Sequence, residues 1–275
     1  MRIVKRTLSE IIVLFFVVVT LVPILWIFLM SIKSNIEIFN FPLMLPYRPR
    51  WDNYRTAWER VSLPHLAGNT MYIAVFALSI GTTLGILSSF VIARFRHFPK
   101  LTKIFYTYYM SGIITPVFIL LLPVFLIVSR FGLTDNHWGL ILTYIGWSAA
   151  MNTLLLVAAF RNVPSELEEA AAIDGCGTLR ICWQIFVPAI KPTLATVLLL
   201  SFLGVWNEFP LASVLIFNPG QYTIALATSF FKGMYSIDYA VMTSAIMLIV
   251  LPQLILFAFF QRFVIEGVTA GAIKG

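Results

Sequence analysis

The chain has 275 residues, 60% of them apolar and only 11% charged, with a formal net charge of +7. Soluble domains run about 45–50% apolar and ~25% charged. No soluble interior of this length hides the apolar excess, which excludes a cytosolic enzyme, a secreted module and a disordered chain and leaves lipid as the solvent. The positive charge then reads through the positive-inside rule of membrane topology rather than as a nucleic-acid footprint.

A helix that crosses the hydrocarbon core needs about 20 mostly apolar residues at ~1.5 Å each. Six stretches meet that length. The first, 11–30, is interrupted only by Thr20 and Pro23. It is too long for a signal-peptide core and no small-residue cleavage site follows, so it reads as a retained anchor. The second, 71–93, is rich in small residues: Gly81, Gly85, Ser88 and Ser89. The third, 104–128, contains Pro116 and Pro123; the fourth is 138–160, the fifth 190–214 and the sixth 239–260. Ten-residue segments of alternating polarity, the mark of a membrane barrel, do not occur. The expected fold class is all-α: a polytopic membrane protein with six transmembrane helices, forming one transmembrane domain over 1–275.

Charge orients these spans. Arg2, Lys5 and Arg6 precede the first and should stay inside, so six spans return the C-terminus to the cytoplasm. On that orientation twelve of the nineteen Lys and Arg lie inside, and the short loop Arg94 to Lys103, with four cations and no acid, carries most of the bias. Segments 31–68, with Pro42, Pro46, Pro49 and Pro64, and 218–238 lie outside; inside, only 161–191 is sizeable. There is no internal repeat, and the two halves of the hydropathy pattern do not match, which argues against an inverted-repeat carrier.

The 161–191 loop carries the sharpest signal. Ser165 and Glu168 have the Ser-x-x-Glu spacing of a capping box, Ala170 to Ala172 favour helix, and Gly175 is placed to end it in the left-handed conformation. A second short helix is expected from Thr178, stopped before Pro188. The result is an acidic, small-residue helix–turn–helix under the membrane. A row of alanines buries little by itself but lets a partner approach closely; the plainer reading is a surface connector.

Glu169-Ala170-Ala171, Asp174-Gly175, Ile185 and Pro188 resemble the EAA loop of ABC importer permeases. In that pattern a glycine follows the glutamate by six residues and a distal Ile-x-Leu-Pro closes the loop. Val187 stands where the family has Leu, and Cys182 where an aromatic is common. Further matches are similar to the carbohydrate branch, the maltose-type, short-chain, six-span permeases. They are Pro23 to Trp26 with Ser31 to Lys33, Trp51 to Tyr54, Asn69-Thr70, Ala93 to Arg96, Trp206-Asn207-Glu208, and the tail Gly267 to Gly275.

The resemblance implies a type I ABC importer permease fold in a prokaryotic inner membrane with both termini cytoplasmic. It implies a non-catalytic subunit that forms half of a sugar path. The implied partners are a second, different permease, two ATPase subunits and an extracytoplasmic sugar-binding protein, with no nucleic acid. No phosphate loop of the Gly-x-x-x-x-Gly-Lys-Ser/Thr kind occurs, so this chain is expected to bind no cofactor, with ATP and Mg used by the ATPase. By the same resemblance Glu169 pairs with a basic group on the ATPase, Gly175 provides the turn, and the tail from Glu266 to Gly275 reaches the ATPase dimer.

Inside the spans two polar sites stand out. Glu208 falls about 18 residues into the fifth span at ~1.5 Å each, where a carboxylate is costly and should face a cavity or the outer interface. Beside it, Trp206 suits a pyranose face and Asn207 its hydroxyls; alternatively Glu208 only marks the end of the span. Asn152 lies in the middle of the fourth span, for substrate or for bonding across helices. In the outer loop Asn218-Pro219-Gly220-Gln221 is a turn signal. It is a plain connector or, by the resemblance, the tip that enters the binding protein's cleft. His65, His97 and His137 fall in loops and scatter over both faces, and Tyr106, Tyr108 and Tyr109 suit an interfacial belt. Cys176 and Cys182 read as packing residues in a reducing compartment. A stand-alone intramembrane enzyme needs a nucleophile and base at matched depth, and a secondary carrier leaves the EAA loop unexplained; these are the alternatives.

Overall fold

The computed structural model describes residues 2–95, 98–231 and 238–272, and every regular element within them is helical. Arg96, His97 and the tail Ile273 to Gly275, all used above, lie outside the described residues. Four helices are long and apolar enough to cross a membrane, six if each of two bent pairs is one span. The four are α1 (Arg2–Ser31), α4 (Leu63–Arg94), α7 (His137–Asn162) and α13 (Tyr239–Ala272), with α2 (Asn35–Asn40) and α3 (Asp52–Val61) between the first two.

Proline interrupts both of the other expected spans. The expected third span is two helices, α5 (Pro99–Ile114) and α6 (Val117–Arg130), meeting at 108°. Pro116 is the cause: its ring pushes the preceding Thr115 out of the helical region, to ψ 116°. Pro123, by contrast, sits inside α6 without ending it. The expected fifth span, 190–214, is also broken. Its helix α11 (Lys191–Asn207) stops at Glu208, and the short α12 (Pro210–Leu215) starts afresh with Pro210 in its first turn, where the missing N–H costs nothing.

The 161–191 loop folds as α8 (Ser165–Ile173), α9 (Thr178–Ile181), one turn of π-helix over Cys182–Phe186, and α10 (Val187–Ala189). Pro188 does not stop the second helix as expected. The wider π turn, closed by Val187 N–H donating to the Cys182 carbonyl, resets the ladder so that Pro188 lies in a first turn. The break comes at Ile190, where the chain bends by 83° into α11. His65 and His137 belong to the first turns of α4 and α7 rather than to loops.

The chain packs as two compact units, residues 1–64 with 227–252 and residues 65–226 with 253–275. In the first, the segment after α1 is folded rather than loose. Lys33 is fully buried and donates to the Phe41 and Pro42 carbonyls, each at 3.0 Å. Ser34 and Glu37 form a capping box at the start of α2. Two backbone bonds and one hydroxyl bond from Ser34 and Tyr47 lower the Glu37 carboxyl to about 2. Asn35 bonds Asp238 and the Ala240 N–H at the start of α13, and Ser244 Oγ donates to the Ser31 carbonyl at 2.8 Å.

The larger unit has two apolar cores, one at each end of α4 and α7. The first gathers Ile73, Ala77, Leu140, Tyr144, Leu211 and Leu215. The second gathers Phe90, Phe160, Ile181, Cys182, Phe186 and Ala171. Phe90, Phe160 and Phe186 form a ring triangle with centroids 5.2–6.0 Å apart, in the range where aromatic pairs attract beyond simple burial. Through that triangle the 161–191 loop is a packed extension of the helix ends.

Candidate functional site: a clamped helix and an interhelical cavity

Helix α8 ends as the glycine predicted. Gly175 has φ +76°, and the Gly175 and Cys176 N–H groups donate to the Ala172 and Ala171 carbonyls at 3.1 and 2.9 Å. This is a Schellman closure. A side chain at position 175 would meet no neighbour within 4 Å, so the constraint is the left-handed backbone alone. The start of the helix differs from expectation. No side chain caps it, and the Ser165–Glu168 box is not formed. Glu168 is taken instead by Arg94.

Arg94, at the end of α4, stands in the sequence reading as a loop cation and as part of the Ala93 to Arg96 match, with no partner assigned to it. Its Nε donates to Glu168 at 2.9 Å and its Nη1 to the Val163 carbonyl at 3.1 Å. Its guanidinium lies 4.6 Å from the centroid of the Phe186 ring. The Arg94 side chain is 8% exposed against 34% for Glu168, so the pair is shielded on one side. One guanidinium thus ties α4, the end of α7, α8 and the π turn together. Nothing in its local sequence pointed to Glu168, 74 residues further along the chain.

Ala171 alone of α8 faces the core; Glu169, Ala170 and Asp174 are exposed, with Ile173 at 87% exposure. Across the turn Leu179 and Trp183 are also exposed. The outer side of α8 is therefore apolar and small, edged by carboxylates, and held on a rigid base. Ile185 is half-buried against that base and Pro188 is exposed.

The four residues singled out for a substrate path divide. Asn152 is buried, accepts from Ser201 Oγ at 3.1 Å, and joins α7 to α11. It lines a cavity of about 270 Å³ between these helices, together with Tyr144, Trp147, Ser148, Gly204 and Glu208. Glu208 is engaged within the chain: its carboxylate accepts the Leu211 and Ala212 N–H groups at 2.7 and 2.9 Å and the Tyr144 hydroxyl at 2.7 Å. It caps α12 and holds the break in the fifth span. Trp206 is buried beside Phe202 and does not line this cavity. Asn207 is exposed on another face, in a reciprocal amide pair with Gln253 of α13 at 3.0 Å in both directions. Gln253 was missed; a lone amide after Pro252 in the sixth span was its only signal.

The Asn218–Gln221 tip is tied down. Asp135 accepts the Phe217 and Asn218 N–H groups. His65 Nε2 lies 2.7 Å from the Gly220 carbonyl oxygen and His137 Nε2 3.1 Å from that of Gln221. Asn69 donates to the Gly220 and Tyr222 carbonyls at 3.1 and 3.0 Å. The tip lies across the first turns of α4 and α7, at the end of these helices opposite α8. The Gly220, Gln221 and Tyr222 carbonyls are thus all engaged within the chain.

Bent, proline-broken spans around a small interhelical cavity, with a rigidly mounted loop helix at one end, define a polytopic membrane permease. Residues 81–269 match the family described as binding-protein-dependent transport system inner membrane component, and the chain belongs to that family. It is a multi-pass membrane subunit of an ABC importer, with no catalytic role of its own. It is 32% identical to the diacetylchitobiose uptake system permease protein NgcG of Streptomyces coelicolor, over 97% of this chain and 88% of that protein. To the probable starch degradation products transport system permease protein AmyC of Thermoanaerobacterium thermosulfurigenes it is 29% identical, over 92% and 91%. Its fold is similar to a chain in the crystal structure of a bacterial ABC transporter involved in the import of the acidic polysaccharide alginate. The TM-score is 0.79 at 22% identity, covering 94% of this chain and 96% of that one.

Proposed function

We propose that this chain forms half of the path of an ATP-driven importer for a sugar or oligosaccharide, and that α8 docks on a separate ATPase. The mounting of α8 carries the reading. A helix that has to transmit force must be accessible on one side and immobile on the other. Here Glu169, Ala170 and Asp174 are presented outward while Arg94 and the phenylalanine triangle hold the inner side. The small residues permit close approach, and Glu169 pairs with a cation of the ATPase, which uses ATP and Mg. Closure of the ATPase then moves α8, α4 and α7 as one body, a rigid-body transition of the alternating-access kind. Gly175 and the distal Ile185 and Pro188 keep the turn in register.

The sugar class draws on relatives named for saccharide uptake and on the path residues. Asn152 and Glu208 border the interhelical cavity, and Asn207 with Gln253 supplies a second amide site for hydroxyls. Trp206 serves as packing in this conformation and reaches a sugar only if the fifth span moves. With α8 cytoplasmic, both termini are cytoplasmic and the Asn218–Gln221 tip faces the sugar-binding protein. A second, different permease completes the path. Purification of the chain from its native membrane tests this: two ATPase subunits and a second permease should accompany it, and the complex should take up sugar into proteoliposomes only with ATP and the binding protein. A chain that purifies alone and transports without ATP is a carrier, and the proposal fails.

A further inference from the structure

At the end of the larger unit opposite α8, a cavity of about 450 Å³ is lined by Asn69, Tyr72, Asn136, His137, Trp138 and Gln221. Its size falls within the range of small-molecule sites, about 300–1,000 Å³. Its chemistry is unlike the rest of this apolar chain. Three amides, an imidazole, a phenol and an indole converge, and no Lys, Arg, Asp or Glu is among them.

The folded chain uses only part of the hydrogen-bonding capacity of these groups. Asn69 spends both amide hydrogens on the Gly220 and Tyr222 carbonyls, and its Oδ1 is left over. Asn136 uses its Oδ1 to cap α7 through the Trp138 N–H at 2.9 Å, leaving its amide hydrogens. His137 uses Nε2 on the Gln221 carbonyl and keeps Nδ1. The Gln221 amide, the Tyr72 hydroxyl and the Trp138 indole N–H have no partner among the described residues. Each is a donor, an acceptor or both. Two flat faces accompany them: Tyr72 is 41% exposed and Trp138 40%, and both are held by Phe76, at 4.8 and 5.4 Å between centroids. The His137 ring packs 5.8 Å from Tyr72. The ring faces of the bowl are thus braced against one another.

Uncharged donors and acceptors mixed around exposed aromatic faces fit one ligand chemistry, a neutral polyhydroxylated ring. Its hydroxyls match the amides, and its C–H faces match the rings. A charged ligand would find no counter-ion here. We propose that this cavity is a saccharide subsite, which receives a neutral sugar unit at the mouth of the path before it enters the interhelical cavity. The inference rests on the sugar-importer reading above. Because Gln221 belongs to the tied-down tip, release of the tip would dissolve the subsite, and the hand-over would run one way.

Two variants leave the fold in place. Gln221→Ala keeps the backbone carbonyl that His137 bonds. Asn136→Asp keeps the helix cap, since Asp caps as well as Asn, and removes the amide donors. The assembled transporter is placed in nanodiscs without its binding protein. Saturation-transfer NMR is recorded with maltose, N,N′-diacetylchitobiose and β-1,4-galactobiose, beside uptake of the same three sugars by the complete system in proteoliposomes. We expect transfer to at least one imported disaccharide, with affinity about fivefold weaker in each variant, the effect of one hydrogen bond. If a sugar is imported but shows no transfer, or if transfer is the same in both variants, the subsite is overturned while the importer reading stands. Failure to import any of the three with ATP present, together with absent transfer, takes both down.

Discussion

Arg94 shows how a single side chain sets the mechanics of the 161–191 loop. Its bonds to Glu168 and the Val163 carbonyl and its seat on Phe186 join four elements. Glutamine in its place keeps one amide donor and loses the charge, the fork and the ring contact. Hydrogen bonds to charged groups contribute about 1.5–3 kcal/mol, and partial exposure of Glu168 moves this one to the lower end. Arg94→Gln should therefore loosen α8 by about 1–2 kcal/mol without unfolding the spans. Faster hydrogen exchange at the Ala171 and Ala172 amides, with unchanged exchange in α7, is the expected signature. Equal protection in wild type and variant would show that the phenylalanine triangle alone holds the helix. At Gly175 the argument is purely conformational, because a side chain there meets only open space at φ +76°. Glu37 provides a pH handle. Its carboxyl is lowered to about 2 from the usual 4.5 by Ser34 and Tyr47. A depressed acid stabilises the fold fully above its unfolded value, and the contribution is lost as pH falls through the folded one. The Tyr47 amide should stay protected at pH 5 and lose protection between pH 4.5 and 2, and Glu37→Gln should abolish that step.

Among the elements, the breaks are what sequence patterning misplaced. Apolar run length located the middles of α1, α4, α7 and α13; only α7 matches closely, while α1 and α4 start earlier, at Arg2 and Leu63, and α13 runs on to Ala272. Run length joined α5 to α6 and α11 to α12, because Thr115-Pro116 and Glu208-Phe209-Pro210 interrupt helix geometry without interrupting hydrophobicity. The Gly175 turn was legible because only one backbone conformation suits it. The fate of Glu168 was not, since a capping box is a local pattern and its competitor, Arg94, lies 74 residues away in the chain. The same limit hid the Asn207–Gln253 pair and the four anchors of the 218–221 tip. Those anchors carry a prediction. Removing Asn218 to Gln221 takes the tip's bonds away from His65, Asp135 and His137 and one of two from Asn69, while the 161–191 loop stays intact. Assembly with the ATPase should persist, and import of sugar delivered by the binding protein should slow at least tenfold. Import at the wild-type rate would make the tip a connector.

At the scale of the whole molecule, the two ends of α4 and α7 should face opposite sides of the membrane. With Cys176 changed to Ser and Cys182 to Ala, single cysteines at Leu179 and Pro219, both exposed, should react with an impermeant maleimide from the cytoplasmic and the outer side respectively. Reaction of both from one side would break the six-span arrangement. In the proposed importer each element has a part: the bent spans tilt, the cavity lies between α7 and α11, the polar bowl lies at one end of α4 and α7, and α8 is seated at the other. The account stands or falls on whether α8 couples hydrolysis to movement. Sugar uptake and ATP hydrolysis measured together in proteoliposomes holding the complete transporter test it most directly, for wild type, Gly175→Asp and Glu169→Lys. The prediction is that both variants insert and assemble and continue to hydrolyse ATP, while sugar imported per ATP falls at least tenfold. Wild-type uptake by Gly175→Asp and Glu169→Lys would contradict it.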